Sequence, residues 1–167
     1  METRINFLEK GQNAIKALYP AGSYLAKSSI EKPLIDLIDF RVSQINGCAF
    51  CLDMHSKDLR AAGESEQRLY TMDAWREAPF YTERERAALA WTEAVTKITN
   101  GQVPDEIYET ARKQFTEEEL IDLTLAVTMI NTYNRINIAF RPPVGTYKVG
   151  HSVNLFLELG TLVVMAC

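Results

Sequence analysis

Thr116-Glu117-Glu118-Glu119-Leu120-Ile121-Asp122-Leu123 opens the stretch that decides the fold. Thr116 followed three residues later by Glu119 is a capping box, in which each side chain satisfies the other's free backbone amide. Three acids in a row suit the positive start of a helix. Beyond them, Leu125, Val127, Met129 and Ile130 continue an apolar run to about Ala139, just before Arg141-Pro142-Pro143. A helix that is apolar nearly all round belongs at the centre of a domain or of a subunit interface. Asn131, Asn134 and Arg135 interrupt it. Buried polar groups need partners, so these three read first as ties between helices. Tyr133, Trp75 and Trp91 read as core or interface residues.

Working outward, the same signals recur. Thr82 with Glu85 forms a second capping box, starting a helix that runs to about Ile98 and stops at Asn100-Gly101. Pro104-Asp105-Glu106 opens another, ending near Arg112. Upstream, helices are expected over Asn6 to Leu18, stopped by Tyr19-Pro20, then Ala21 to Ser28, Pro33 to Ile45, about Cys48 to Ala62 with Gly63 as C-terminal cap, and Ser65 to about Trp75. No segment alternates like a strand between hairpin turns. The expectation is an all-α fold, one domain of about seven helices over residues 1–150, without internal repeat or linker. Residues 151–167 form an apolar tail interrupted by Glu158 and Gly160. It reads either as a terminal segment that packs on a neighbour or stays loose, or as an oligomerisation arm.

Composition narrows the function. The chain has 167 residues, 47% of them hydrophobic and 24% charged, enough apolar material for a proper core. Its formal charge is −4, from 22 acidic against 18 basic residues. It lacks the basic footprint that neutralises phosphates, so nucleic acid is not an expected partner. No apolar run is long enough to cross a bilayer, and Met1-Glu2-Thr3-Arg4-Ile5-Asn6 has no apolar signal core. A cytoplasmic protein is expected. Three cysteines cannot all pair within one chain. In a reducing compartment a close pair reads as catalytic, redox-active or metal-binding.

That pair lies in Gly47-Cys48-Ala49-Phe50-Cys51-Leu52-Asp53-Met54-His55. At about 100° per residue, Cys48, Cys51, Leu52, His55, Leu59 and Ala62 share one helix face. His55 is one turn beyond Cys51, the spacing at which helical side chains meet. Thiolate rather than thiol attacks an electrophile, and a helix N-terminus and a nearby proton acceptor both favour the thiolate. One sulfur can reduce a peroxide or disulfide, the other can resolve it, and His55 can carry the proton. Position alone favours Cys48, nearest the helix start and expected to be the more exposed, as attacker. A structural zinc site wants four ligands, and the only other histidine, His151, is remote; no metal is expected. Covalent haem needs histidine directly after the second cysteine, where Leu52 stands, and no cofactor is expected. Two buried small thiols beside a core histidine would also satisfy the pattern. Cys167 reads as an uninvolved terminal thiol.

The run Arg41-Val-Ser-Gln-Ile-Asn-Gly-Cys-Ala-Phe-Cys-Leu-Asp-Met-His55 resembles the core motif of the AhpD-like alkylhydroperoxidases, in the carboxymuconolactone decarboxylase superfamily. Ala61-Ala62-Gly63-Glu64, Trp75-Arg76-Glu77-Ala78-Pro79-Phe80, Glu85-Arg86-Ala87-Ala88-Leu89-Ala90-Trp91 and Asn134-Arg135-Ile136-Asn137 share the resemblance, which spans roughly residues 33–145. It implies the AhpD-like helical fold, a homo-oligomer, and thiol-dependent reduction of hydroperoxides in antioxidant defence. It assigns peroxide attack to Cys51, and resolution and contact with an external dithiol reductant, protein or lipoyl-type, to Cys48. His55 matches the family histidine. The family's relay glutamate, twelve residues before the first cysteine, falls on Asp36, one methylene shorter. On a wheel of its helix, Asp36 points away from Leu34, Leu37, Ile38 and Ile45, with Asp39 and Ser43. A role for it requires the helix to be sandwiched, and otherwise it is a solvated acid. A dithiol redox adaptor, a lactone decarboxylase, which would not need the cysteines, and a structural oligomer with inert thiols are the competing readings.

Overall fold

The structure is a computed structural model and describes residues 2–150; the tail, with His151 and Cys167, lies outside the described residues. Nine α-helices and two short 3-10 turns follow one another in the described residues, with no strand among them. The helices are α1 Phe7–Lys10, α2 Gln12–Lys16, α3 Tyr19–Leu25, α4 Lys32–Asn46, α5 Ala49–Ala61, α6 Glu66–Tyr70, α7 Glu83–Lys97, α8 Asp105–Arg112 and α9 Glu117–Phe140.

Both capping boxes form, at Thr82 with Glu85 and at Thr116 with Glu119, and both start long helices. The first predicted helix divides into two at Gly11. Its φ of −112° and ψ of 20° leave the helical region, and a Cβ there would lie 2.8 Å from the Phe7 carbonyl oxygen. Pro20 does not terminate a helix. It sits in the first turn of α3, where the missing amide proton costs nothing. The segment after Ser65 also divides, into α6 and a 3-10 turn, Met72–Ala74. The division at Gly11 turns the eight helical segments read from the sequence, in a domain expected to hold about seven helices, into nine α-helices among the described residues.

Helix α4 is the axis of the fold. It packs against α5, α7 and α9 together. Every residue from Leu34 to Ser43 is buried as a result, whichever way it points. Leu25, Ile38, Val42, Ala88, Phe115, Leu123 and Val127 form one core between α3, α4, α7, α8 and α9. Leu37, Leu59, Leu69, Met72, Trp75, Tyr81 and Leu89 form a second on the α5–α6 side. Truncating a side chain as closely packed as Leu37 to alanine costs about 2–5 kcal/mol.

Helix α9 is buried on one side only. Leu120, Leu123, Val127 and Ile130 face the core, while Ile121 is 69% exposed and Ile138 is exposed too. The expectation of all-round burial is not met within this chain.

Buried polar ties fix the register. Glu93 accepts from Trp75 Nε1 at 2.8 Å, Arg41 Nε at 2.9 Å and Arg76 Nη1 at 2.9 Å. Burial pushes its carboxyl up, but the bonds from Trp75, Arg76 and Arg41 outweigh that and hold it below the usual range. Arg86 donates to the carbonyls of Trp75, Arg76, Ala78 and Tyr81, closing the loop ahead of α7.

Candidate active site

Two helix ends meet to make the site. Gly47 ends α4 in the left-handed region, φ 68° and ψ 34°, a conformation glycine adopts without strain. Its amide donates to the Gln44 carbonyl at 3.2 Å, and the Cys48 amide donates to the Ser43 carbonyl at 3.0 Å. This paired closure is the Schellman motif, and it leaves the next residue in a fixed place. Cys48 is therefore extended and becomes the N-cap of α5, its Sγ accepting from the Cys51 amide at 3.4 Å. A sulfur fills the position usually held by a serine or asparagine oxygen.

Cys48 and Cys51 are joined as a disulfide, with Cα atoms 5.4 Å apart. Each residue is only 1% exposed. The expected greater exposure of Cys48 is absent: after the α4 closure it is as buried as its partner. Position at the helix start does not distinguish the two sulfurs by access.

Helix α9 supplies the roof. Asn137 donates Nδ2 to Cys51 Sγ at 3.3 Å. Asn134, fully buried, donates to Ser43 Oγ at 3.1 Å and accepts from Asn46 Nδ2 at 2.9 Å. Asn46 also reaches Asn131 Oδ1 at 2.9 Å, and Asn131 donates to Thr96 Oγ1 on α7 at 3.1 Å. Three asparagines at intervals of three residues thus line one side of α9 and bind the turn that carries the cysteines. Asn131 and Asn134 are the interhelical ties the sequence suggested. Arg135 is not one: it is exposed and, among the described residues, bonds to Asn131 of its own helix.

His55 lies one turn along α5 from Cys51 and is 3% exposed. Its Nε2 is buried without a hydrogen-bond partner. Burial, and then the nearby positive charge of Lys32, lower its pKa to about 3. The ring is a neutral imidazole at physiological pH and would hold an added proton only transiently.

Asp36 is 8% exposed rather than solvated, because α4 is enclosed on all sides. Both carboxylate oxygens accept from Lys32 Nζ at 2.7 Å. Burial raises its pKa, Lys32 opposes the rise, and the charge of Asp58 adds to it. The structure thus brings Cys48, Cys51 and His55 to one buried face of α5, while the hydrogen bonds of Asp36 go to Lys32 and not to His55.

Three neighbours of the site were not singled out from sequence. Asp39 is 2% exposed, with Oδ2 unpartnered. Burial and the neighbouring charge of Asp36 push its carboxyl well above the usual range, against the pull of Lys32. The signal was Leu34-Ile35-Asp36-Leu37-Ile38-Asp39-Phe40, two acids in an otherwise apolar run. Lys32 and Asn137 are the others, and Asn137 was visible as a polar residue on an apolar helix. The outer side of α5 is covered by the chain after α9: Gly145 donates its amide to Asp53, Lys57 donates to the Tyr147 carbonyl, and Tyr147 donates its hydroxyl to Asp58. Among the described residues no group of three or more His, Cys, Asp or Glu side chains is placed to hold a metal ion, and no helix is long and apolar enough to cross a membrane.

Residues 12–94 match the carboxymuconolactone decarboxylase family. A solved structure from Agrobacterium tumefaciens is 46% identical and superposes with a TM-score of 0.83, covering 87% of this chain and all of that one. That protein is of unknown function and proposed to be the antioxidant defence protein AhpD. The chain belongs to the carboxymuconolactone decarboxylase family, with the AhpD-like fold. The match begins upstream of the resemblance seen in the sequence and stops short of the last helix. The uncharacterised Bacillus subtilis protein YdfG is 44% identical to this AhpD-like chain over 139 residues, 83% of it and 95% of YdfG. The debrominase Bmp8 shares the fold with a TM-score of 0.70 at 20% identity, over 83% of this chain and 75% of its own. The AhpD-like fold thus carries enzymes of different chemistry, and the activity has to be argued from the site.

Proposed function

We propose that this AhpD-like protein is a thiol-dependent peroxidase that reduces hydroperoxides at Cys51, as part of antioxidant defence. The observation that carries the reading is the sulfur of Cys51, disulfide-bonded to Cys48 and held by a donor from Asn137. That donor meets whatever negative charge the sulfur bears once the disulfide is opened. A hydrogen bond to a charged acceptor contributes about 1.5–3 kcal/mol.

The cycle follows. In the reduced protein, His55 takes the proton of Cys51. The thiolate attacks the terminal peroxide oxygen, the O–O bond breaks, and Cys51 becomes a sulfenic acid. The alkoxide leaves as alcohol with the proton from His55. Cys48 then attacks the sulfenic sulfur, water leaves, and the disulfide of this structure forms. An external dithiol, protein or lipoyl-type, restores both thiols by exchange, attacking Cys48 first. Asp36, through its pair with Lys32, tunes the charge felt by His55. We place the enzyme in the cytoplasm as a homo-oligomer in which Ile121 and Ile138 become covered.

Hydroperoxide consumption in the presence of dihydrolipoamide tests the reading. Wild type should turn over, and Cys51→Ser should not. A Cys51→Ser protein that consumes peroxide at the wild-type rate overturns it.

A further inference from the structure

A cavity of about 420 Å³ lies between α3, α4 and α9, within the range of small-molecule pockets. Its body is apolar, with Leu25, Ile35, Met129 and Ile130 among its walls. Its charged groups, Lys32, Asp36 and Asp39, are all on α4, with Ser28 and Tyr133 as further polar side chains in the lining. Ala26 and Lys32 are exposed, so the mouth opens between the end of α3 and the start of α4.

The charges at that polar end cancel. Lys32 is committed to Asp36 through both carboxylate oxygens. Asp39 is buried beside an existing carboxylate, and burial with that neighbouring charge favours its neutral form. A buried carboxylic acid whose second oxygen has no partner is costly unless something completes its hydrogen bonds. Among the described lining residues the one cation is Lys32, already paired with Asp36, so an anionic ligand would face Asp36. A neutral molecule with one hydroxyl-type end would both accept from and donate to the Asp39 carboxyl, while its hydrocarbon body filled the apolar walls. The same polar end is electrostatically close to His55, whose titration Lys32 depresses.

We propose that this cavity binds neutral, mainly hydrocarbon molecules bearing one hydroxyl or hydroperoxyl group, that Asp39 is the residue that receives that group, and that the corresponding carboxylates are rejected. The inference goes beyond the peroxidase reading and does not rest on it, since neither Cys51 nor His55 is among the lining residues.

The test uses the full chain with Cys48 and Cys51 joined, so that neither site sulfur is free to react. Binding of 1-octanol and of octanoate is measured by calorimetry at neutral pH. Octanol is expected to bind saturably and at least about tenfold tighter than octanoate, the ratio that one hydrogen bond of about 1.4 kcal/mol supplies. Asp39→Asn, which stays neutral and keeps a donor and an acceptor, should retain octanol within about threefold, and Asp39→Leu should weaken it about tenfold. Met129→Trp, which fills the chamber from its half-buried side, should abolish binding. No saturable octanol binding, equal affinity for octanoate, or octanol affinity unchanged in both Asp39→Leu and Met129→Trp overturns the proposal. Octanol binding to a protein that shows no peroxide turnover overturns the peroxidase reading and leaves the site standing. Turnover without octanol binding does the reverse.

Discussion

Asn137 of α9 and Cys51 of α5, 86 residues apart in sequence, meet through an Nδ2-to-Sγ hydrogen bond of 3.3 Å. The helix that closes the core therefore also holds the candidate nucleophile. The donor adds to the positive end of α5 in stabilising a thiolate.

Replacing Asn137 by leucine removes that donor without removing bulk. Oxidation of Cys51 by hydroperoxide should slow about tenfold at neutral pH, the effect of about 1.4 kcal/mol. The pH at which the rate reaches half its plateau should move upward. Stopped-flow fluorescence across pH checks both, and an unchanged profile would remove Asn137 from the chemistry.

The two cysteines are expected to fail differently. Cys51→Ser should lose all reaction with peroxide. Cys48→Ser should react once, gain a single oxygen at Cys51, and stop, since the resolving partner of Cys51 is gone. Intact-mass measurement after one equivalent of hydroperoxide distinguishes them. The reverse pattern would exchange the roles and restore the order that position on the helix suggested.

His55 and Asp39 make opposite contributions to stability against pH. His55 has a folded pKa of about 3, below the unfolded value near 6.5, so the unfolded chain binds the extra proton between these limits. Its contribution is fully present above about pH 6.5 and is lost as pH falls toward 3, by about 2 kcal/mol between pH 7 and 5. Asp39 has a raised folded pKa, so the folded chain holds the extra proton, and its contribution is lost as pH rises above the ordinary carboxylate range. Urea unfolding of the disulfide form should show the stability of wild type relative to His55→Gln falling as pH drops from 7 to 5. Relative to Asp39→Asn it should rise over the same interval. Two pH-independent differences would contradict the buried, neutral state of both groups.

Asn134 is fully buried and joins Ser43 to Asn46. Asn134→Leu leaves those partners without it and should lower stability by about 1–3 kcal/mol. It should also loosen the α4–α5 turn, which trypsin susceptibility at Lys57 or Arg60 would report.

Much of the fold was legible because its signals are local. Thr82 with Glu85, Thr116 with Glu119, and Gly47 each act within one turn of chain, and each does what its chemistry dictates. Gly11 and Pro20 were less readable. Glycine can sit within a helix or break it, and proline can stop a helix or start one, according to what packs around them. The CxxC pair and His55 were legible at fixed spacing on one helix. Asp36, Asp39 and Asn137 were not, because their burial depends on other helices. A wheel of α4 shows one apolar face, and only the packing of α5 and α9 on its remaining sides turns the opposite face into interior.

The most direct test is a competition for the reduced protein between an alkyl hydroperoxide and oxidised lipoamide, with thiol loss followed by stopped flow. The account predicts that hydroperoxide oxidises one Cys48–Cys51 pair per chain, at least a hundredfold faster than the disulfide does, with one alcohol formed per pair. Rapid oxidation by the disulfide with slow or no reaction with hydroperoxide would contradict it.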